Sequence, residues 1–523
     1  MAIKQLRFPR VKGFALAVLA GLLAAPSLAC SRETSSAVDP ESLFATPTAT
    51  LPPPTETATS TTIVNHTATI TPQPTSTLEP TSTYPPTPTL RPRATPLPEV
   101  YYVQAGDTLQ TIAIRFGVLP SDIRAVSNTP LPESGLIEPQ QQLIIPVSLE
   151  DTSESIHLFP DSAIVYSPTF ANFDPVEYIH QQGGYLASYI SGGGDIANGA
   201  EILHQIAFNN SFSPKLLLAL LEHSSGWVTE KSPPAETRSY PLGYRDPNSM
   251  GLTAQLIWAT NILSIGYYGW RDASLLELTF GDDQTLRLAP DLNAGTVAIL
   301  NYFALTTADR AECEQAVGAF LEVYRRLFGD PFDQAIEPLY AADLPLYEME
   351  LPFLKGQMWA FTGGPHGAWE RDGAQAALDF APTDAPNCGV SPSYATAVAP
   401  GLIVRSIYHV VVIDLDGDGY EQTGWNILYL HIADGEHVKV GMHVETDDPI
   451  GHPSCQGGIA TGTHLHIARK YNGEWMLAGG PVPFVLSRWV AHSGSAPYKG
   501  YLERDGHIVI ARAWATKELL VWR

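Results

Sequence analysis

From residue 31 to about residue 98 the chain is dominated by Thr, Pro and Ser, as in Thr46-Pro-Thr and Pro85-Pro-Thr-Pro-Thr. Such a stretch cannot bury enough apolar surface to offset its chain entropy. It reads as an extended, semi-rigid spacer, and every hydrophobic core must lie beyond it. The remainder of the 523 residues is still too long for one ordinary core, so two to four domains are expected. Charge narrows the partners. With 54 acidic against 30 basic residues the net charge is −24, which repels nucleic-acid phosphates and anionic lipid alike. Four cysteines are too few for a disulfide scaffold.

Residues 1–30 read as an export signal. Lys4, Arg7, Arg10 and Lys12 form a basic start, Phe14 to Ala25 a short apolar core, and Ser27-Leu-Ala-Cys30 follows. The apolar run is short for a bilayer span. The pattern resembles a bacterial lipoprotein signal, which implies cleavage before Cys30 and acylation of that residue. Ser27 replaces the usual Leu, so an ordinary secretory signal or an uncleaved anchor also fits. In each case the rest of the chain is exported, and membrane contact is expected only through the lipid.

After the 31–98 spacer, residues 99–148 form a first module. Tyr102-Val103 begins a strand, Gly106-Asp107-Thr108-Leu109 turns it into a helix, and Asp107 or Thr108 can cap that helix. Ile112, Ile114 and Phe116 are its apolar residues. Ser121-Asp122 starts a second helix with Asn128 near its end, and Leu143-Ile-Ile-Pro146 is a return strand. This βααβ order resembles a LysM module. The resemblance implies weak binding of N-acetylglucosamine-containing glycan, with Gly106, Asp107, Thr108 and Leu109 on one side of a groove and Asn128 and Ile137 on the other.

Residues 152–345 read as mostly helical. Lys215-Leu-Leu-Leu-Ala-Leu-Leu-Glu222 is too apolar all round for a surface helix, and Pro214 after Ser213 suits its first turn. Further helices are expected from Met250 to Ile265, Ala294 to Ala304 and Arg310 to Phe328, with Cys313 as a buried thiol. Pro214 to Leu221, Ser225-Gly-Trp227, Gly251-Leu252, Gln255 and Leu292-Asn-Ala-Gly295 weakly resemble the lysozyme-like lytic transglycosylases. In that family a glutamate precedes Ser-Gly as general acid. Here Ser224 stands there, and Glu222 lies about 200° further round a helix. A serine cannot protonate a glycosidic oxygen, so this block is expected to be non-catalytic.

Residues 350–492 restore β character, in short strands separated by Gly and Pro. Thr461-Gly-Thr-His464-Leu-His466 puts two imidazoles on one face of a strand. Together with Ala377-Leu-Asp379-Phe, Asn426-Ile-Leu-Tyr-Leu-His431, Val438-Lys-Val-Gly441 and Pro449-Ile-Gly451, in that order, the stretch resembles the lysostaphin-like zinc endopeptidases, which cut peptide cross-links of peptidoglycan. The resemblance implies Zn2+ on Asp379 and His466, with His431 and His464 as the catalytic pair around an open coordination position. The family's first ligand is a His four residues before the Asp, where this chain has Gln375. His366, in the loop Gly363-Gly-Pro-His366, is the expected replacement. A two-ligand site completed by water, or a site that no longer holds zinc, are the alternatives. If His366 is the ligand, its imidazole should lie roughly 3 to 4 Å from Asp379 and His466 by tetrahedral trigonometry on zinc bond lengths.

Asp414-Leu-Asp416-Gly-Asp418-Gly resembles half a Ca2+ loop, although a hairpin tip explains it equally well. Cys388 and Cys455 bracket the site, and export permits a disulfide between them. Residues 493–523 read as a closing hairpin and a final apolar strand. The expected whole is a multidomain α+β chain comprising the βααβ module, a helical lysozyme-like domain and an antiparallel β-rich domain. The resemblances together imply an envelope-anchored peptidoglycan hydrolase, with a metal-free scaffold or hydrolase activator and a glycan-cleaving transglycosylase as rivals.

Overall fold

The computed structural model describes residues 98–523, apart from 147–148, 150, 192–197, 370–371 and 386. The signal with Cys30 and the Thr/Pro/Ser spacer lie outside the described residues. Among the described residues no helix is long and apolar enough to cross a membrane.

The first module has its own core, built from Tyr101, Ile112, Phe116, Leu143 and Ile145 among others. Gln142–Pro146 is the central strand of three, flanked by Pro98–Tyr102 and Arg124–Ala125, both antiparallel to it. The helix Leu109–Phe116 starts where the Thr108 hydroxyl accepts the Thr111 N–H at 3.1 Å, and it stops at Gly117, which takes a left-handed conformation at φ 67°. The expected second helix does not form. Pro120–Asp122 is one 3-10 turn, after which the chain extends. Ile123 and Ala125 are buried while Arg124 between them is exposed, the period-two burial of a strand. The module is therefore strand, helix, 3-10 turn, strand, strand, rather than βααβ.

The helices of the next block are Pro175–Gln182, Tyr185–Ser188, Gly199–Asn210, Pro214–Ser225, Leu252–Arg271, Ala294–Ala304 and Arg310–Phe328. Pro214–Ser225 is central as its composition requires, with every residue from Leu216 to Leu221 fully buried. The Ser213 hydroxyl caps it by accepting the Leu216 N–H at 3.1 Å.

The β block is built on a nine-stranded antiparallel sheet. Its order is His443–Val444, Gly401–Ile407, Val410–Asp414, Trp425–Leu430, Leu465–Tyr471, Ala377–Pro382, Met358–His366 and Leu520–Trp522, with Glu474–Trp475 added beside Leu465–Tyr471. A second sheet runs Val485–Leu486, Trp489–Ser493, Gly500–Arg504, His507–Ile510.

Two expected boundaries do not separate structure. The strand Trp489–Ser493 crosses the break placed at 492, and Leu520–Trp522 pairs with Met358–His366, so the last residues belong to the β block. Nor does the helical block end in a core of its own near 345. Its apolar residues and those of the β block form one continuous cluster, joined where Glu474 and Trp475 meet Tyr267, Tyr268 and Asn210. Arg271 ties the parts together. It pairs with Glu474 at 2.8 Å and Asp161 at 3.0 Å, and donates to the carbonyl of Ala105. Glu474 also accepts the hydroxyls of Tyr267 and Tyr340 at 2.7 and 2.9 Å, so the buried charges are paired and hydrogen-bonded.

Candidate metal centre

Four neighbouring strands bring the expected residues together. Antiparallel register sets His466 opposite Asp379, Asp379 opposite Gly363 and Leu430 opposite His466, so that His431 emerges where its strand ends. His366 is not in a loop. It is the last residue of Met358–His366, brought round by two irregularities, between Phe361 and Gly363 and between Gly363 and His366. Gly363 is required there: a Cβ on it would lie 2.3 Å from the Asp379 Oδ2.

His366 Nε2 and His466 Nδ1 are 3.1 Å apart, and each is 3.3 Å from Asp379 Oδ1. The second nitrogen of each ring is committed elsewhere. His366 Nδ1–H donates to the Gly364 carbonyl at 2.8 Å, and His466 Nε2–H to the Ala368 carbonyl at 2.9 Å. Those bonds assign the tautomers and leave two imidazole lone pairs aimed at a carboxylate oxygen. That oxygen is buried and accepts no well-directed hydrogen bond. Three convergent acceptors repel one another unless a cation lies among them, and the spacing is that of ligand atoms on a zinc ion. The residues present therefore fit a metal, with His366 in the set. Gln375 faces a different cleft.

His431 and His464 stand beside this triad with ring centroids 4.5 Å apart, and His464 Nε2 is 3.8 Å from Asp379 Oδ1. Their Nδ1 atoms are anchored on the carbonyls of Gln456 at 2.7 Å and Gly462 at 2.8 Å, which leaves Nε2 as the lone-pair nitrogen of each neutral ring. Burial, and then His464, push His431 down to about 3, which keeps its ring neutral at ordinary pH. Burial likewise lowers His466. Burial works against the charge on Asp379 too, but His366 and His464 more than offset it and hold the carboxyl well below its usual range.

Sequence reasoning did not find Tyr498. Its ring stacks on His366 with centroids 4.1 Å apart, and it is 46% exposed. It lies far along the chain, and no local pattern marks it. Cys388 and Cys455 are joined by a disulfide, their Cα atoms 5.6 Å apart. That bridge braces the segment in which Gly389 N–H donates to the Thr463 hydroxyl at 3.0 Å, next to His464. Cys313 is a buried free thiol.

Other expected sites change. Asp107 does not line a groove: it is 2% exposed and accepts the Tyr101 hydroxyl at 2.6 Å and the Gln104 N–H at 2.9 Å while pairing with Arg115. Ile137 is 1% exposed and packs in the module's core. Asn128 is an exposed turn residue at φ 58° and is not part of the cleft described next. Gly106, Thr108 and Leu109 do line a cleft, of about 530 Å³, with residues 133–136 rather than Asn128 and Ile137 beside them. Asp414, Asp416 and Asp418 cluster at the hairpin, but Asp414 is taken up by its own loop: Oδ1 accepts the N–H groups of Asp416 and Gly417, both at 3.2 Å, and Oδ2 that of Gly419 at 2.8 Å. Backbone capping accounts for Asp414 and for Asp418, which accepts the Tyr420 N–H at 2.9 Å, and nothing else in the loop points to Ca2+. Glu222 is buried and fully bonded, to the N–H groups of Val228 and Thr229, both at 3.1 Å, to the Thr229 hydroxyl at 2.6 Å and to Arg326 at 3.2 Å.

The model of the LysM domain matches residues 101–146, and that of the LasA N-terminal domain matches residues 157–340. Protease LasA of Pseudomonas aeruginosa strain UCBPP-PA14 is 27% identical over 294 residues, covering 52% of this chain and 65% of the relative. Protease LasA of strain PAO1 gives the same figures. The chain thus spans just under two thirds of the length of these relatives. Among solved structures, the M23 metalloprotease pseudoalterin, from the deep sea, is similar at 20% identity and a TM-score of 0.28, over 34% of this chain and all of that one. The catalytic domain of lysostaphin from Staphylococcus simulans is similar at 22% identity and a TM-score of 0.18, over 23% of this chain and 87% of that one. By these matches the chain is similar to protease LasA, with residues 101–146 similar to a LysM domain and residues 157–340 to a LasA N-terminal domain.

Proposed function

We propose that the chain is an envelope-located metalloendopeptidase that hydrolyses peptide cross-links of peptidoglycan, with Zn2+ held by His366, Asp379 and His466. The observation that carries this reading is the convergence of two imidazole lone pairs on a buried carboxylate oxygen, at 3.1 to 3.3 Å, that accepts no hydrogen bond. Zinc, when bound, supplies Lewis acidity for the scissile carbonyl and lowers the pKa of water at the site. The chain does the rest. Gly364 and Ala368 hold the two ligand rings by their carbonyls and fix the tautomer in which His366 Nε2 and His466 Nδ1 carry the lone pairs. His431 and His464 present their lone-pair Nε2 atoms on the open side. One of them takes the proton of the attacking water at its Nε2 and returns that proton to the leaving amine, while the other stands beside the developing oxyanion.

The LysM match and the homology to LasA support peptidoglycan as the substrate. Export and anchoring through Cys30 rest on the sequence pattern of residues 1–30, and a palmitate label lost in Cys30→Ser tests them. The decisive experiment measures zinc in the purified chain and follows muropeptides released from cross-linked sacculi. One zinc per chain, with cleavage lost to chelator and restored by zinc, is expected. A chain that binds no zinc and releases no peptide products would refute the proposal in favour of a binding scaffold.

A further inference from the structure

The cleft beside the LysM helix is lined from two distant parts of the chain. Thr108, Leu109 and Ser134 form one wall, and Leu477, Pro481 and Ser493 of the β block form the other. Its volume of about 530 Å³ falls among small-ligand sites. Hydroxyls alternate with apolar side chains, a surface suited to the mixed faces of a sugar. Arg271 at the cleft is already engaged by Glu474 and Asp161, and the other lining charges are carboxylates, which disfavours an anionic ligand.

The LysM wall is fixed to the helical block, which Arg271 in turn ties to Glu474 of the β block. Gln104 Nε2 donates to the carbonyls of Asp291 and Leu292 at 2.9 and 3.2 Å, Arg287 to that of Arg115 at 3.0 Å, and the Ala342 N–H to the Glu138 carboxylate at 3.1 Å. Gly106 packs so closely that a Cβ there would stand 2.8 Å from the Tyr340 hydroxyl.

Two segments run from this cleft to the metal centre. Gln375 lines the cleft, and its carbonyl accepts the Ala478 N–H at 2.9 Å. Asp379 is four residues further on, about 13 Å at the rise of an extended strand. Gly494 lines the cleft as well, and the same loop carries Tyr498 onto His366.

We propose that this cleft is a composite subsite in which the LysM loops and the β block together seat one strand of N-acetylated glycan, with the peptide stem of that strand directed along the exposed loop from Gly494 to Tyr498. Recognition of the glycan and delivery of its stem are then one event in a rigid body. The proposal deepens the peptidase reading and rests on it and on the LysM match.

The test titrates the whole chain with chitotetraose by calorimetry. Ser134→Trp fills the cleft from the LysM wall and Pro481→Trp from the β wall, and both residues are exposed. Each variant should weaken binding at least tenfold with the melting temperature unchanged. Hydroxyl-radical footprinting of the unsubstituted chain, which needs no variant to fold, should show chitotetraose protecting Ser134 and Pro481 together. If only Ser134→Trp weakens binding and only Ser134 is protected, the sugar sits on the LysM wall alone. That outcome refutes the composite site and leaves the LysM reading standing. Unaltered binding in both variants also overturns it, and no binding by the unsubstituted chain overturns the LysM reading with it. In neither of these cases is the metal centre touched, because zinc content is measured separately.

Discussion

Gly363→Ala tests whether the carboxylate of Asp379 sits where the metal centre needs it. An added Cβ would lie 2.3 Å from Oδ2, 2.8 Å from Cγ and 2.9 Å from Cβ of Asp379. To regain even 3.0 Å from Oδ2 the carboxylate must retreat by at least 0.7 Å. Asp379 lies on a strand hydrogen-bonded on both sides, so the backbone cannot follow freely and the side chain must turn. Overpacking of this kind costs about 1 to 3 kcal/mol of stability. A ligand displaced beyond about 0.5 Å leaves a productive geometry, and disturbances of this size around bound metals cost about 10- to 100-fold in affinity. Competition against a zinc chelator of known affinity measures the second effect, and thermal melting of the metal-free chain the first. Adding Asp379→Ala to Gly363→Ala should recover the stability and lose zinc altogether, because the clash and the ligand vanish together. Full zinc affinity in Gly363→Ala would refute the reasoning, since the carboxylate oxygen 3.3 Å from both rings could not then be a ligand.

His466→Ala should abolish zinc binding, whereas His464→Ala should leave zinc bound and stop hydrolysis; metal analysis beside a muropeptide assay separates the two. Arg271→Met strands Glu474 and Asp161 as buried, unpaired charges and should cost about 3 to 5 kcal/mol in denaturant unfolding. Glu222→Gln removes a carboxylate whose partners are the N–H groups of Val228 and Thr229, and should cost about 1 to 3 kcal/mol while no anhydro-sugar product appears before or after the change. Replacing Cys388 and Cys455 by Ser opens a loop with a sequence separation of 67, worth about 4 kcal/mol on chain-entropy grounds. It also unbraces Thr463, so the turnover rate should fall while zinc content holds.

The catalytic strand was legible because its signal is local. His464 and His466 share a face by the two-residue period alone, whereas Asp379 was reached through the resemblance carried by Ala377-Leu-Asp379-Phe. His366 was reachable only by elimination. Gly363-Gly-Pro looks like a loop because Gly and Pro break regular strands, and it is the two irregularities that keep the segment in the sheet while turning His366 inward. The LysM walls failed for a related reason. Asp107 follows a turn glycine and reads as exposed, yet its partners Tyr101 and Arg115 stand six residues before and eight after, so burial arises from tertiary pairing that no short window contains. Pro120-Ser-Asp is a good helix start, but the alternate burial of Ile123 and Ala125 against the sheet outweighs it. The shared core of helices and sheet was invisible because two apolar faces in sequence do not say whether each is covered by its own block or by the other.

The pairing of Leu520–Trp522 with Met358–His366 has a consequence for the order in which the sheet is completed. His366 lies on the strand whose outer edge these residues cover, yet they are synthesised more than 150 residues later. Until they emerge and dock, the ligand-bearing strand stands at an open edge, held from one side. The pairing reaches only Met358, Trp359 and Ala360, so this late strand closes the sheet edge at the end of the strand far from His366 and leaves the ligand-bearing end to its other neighbours.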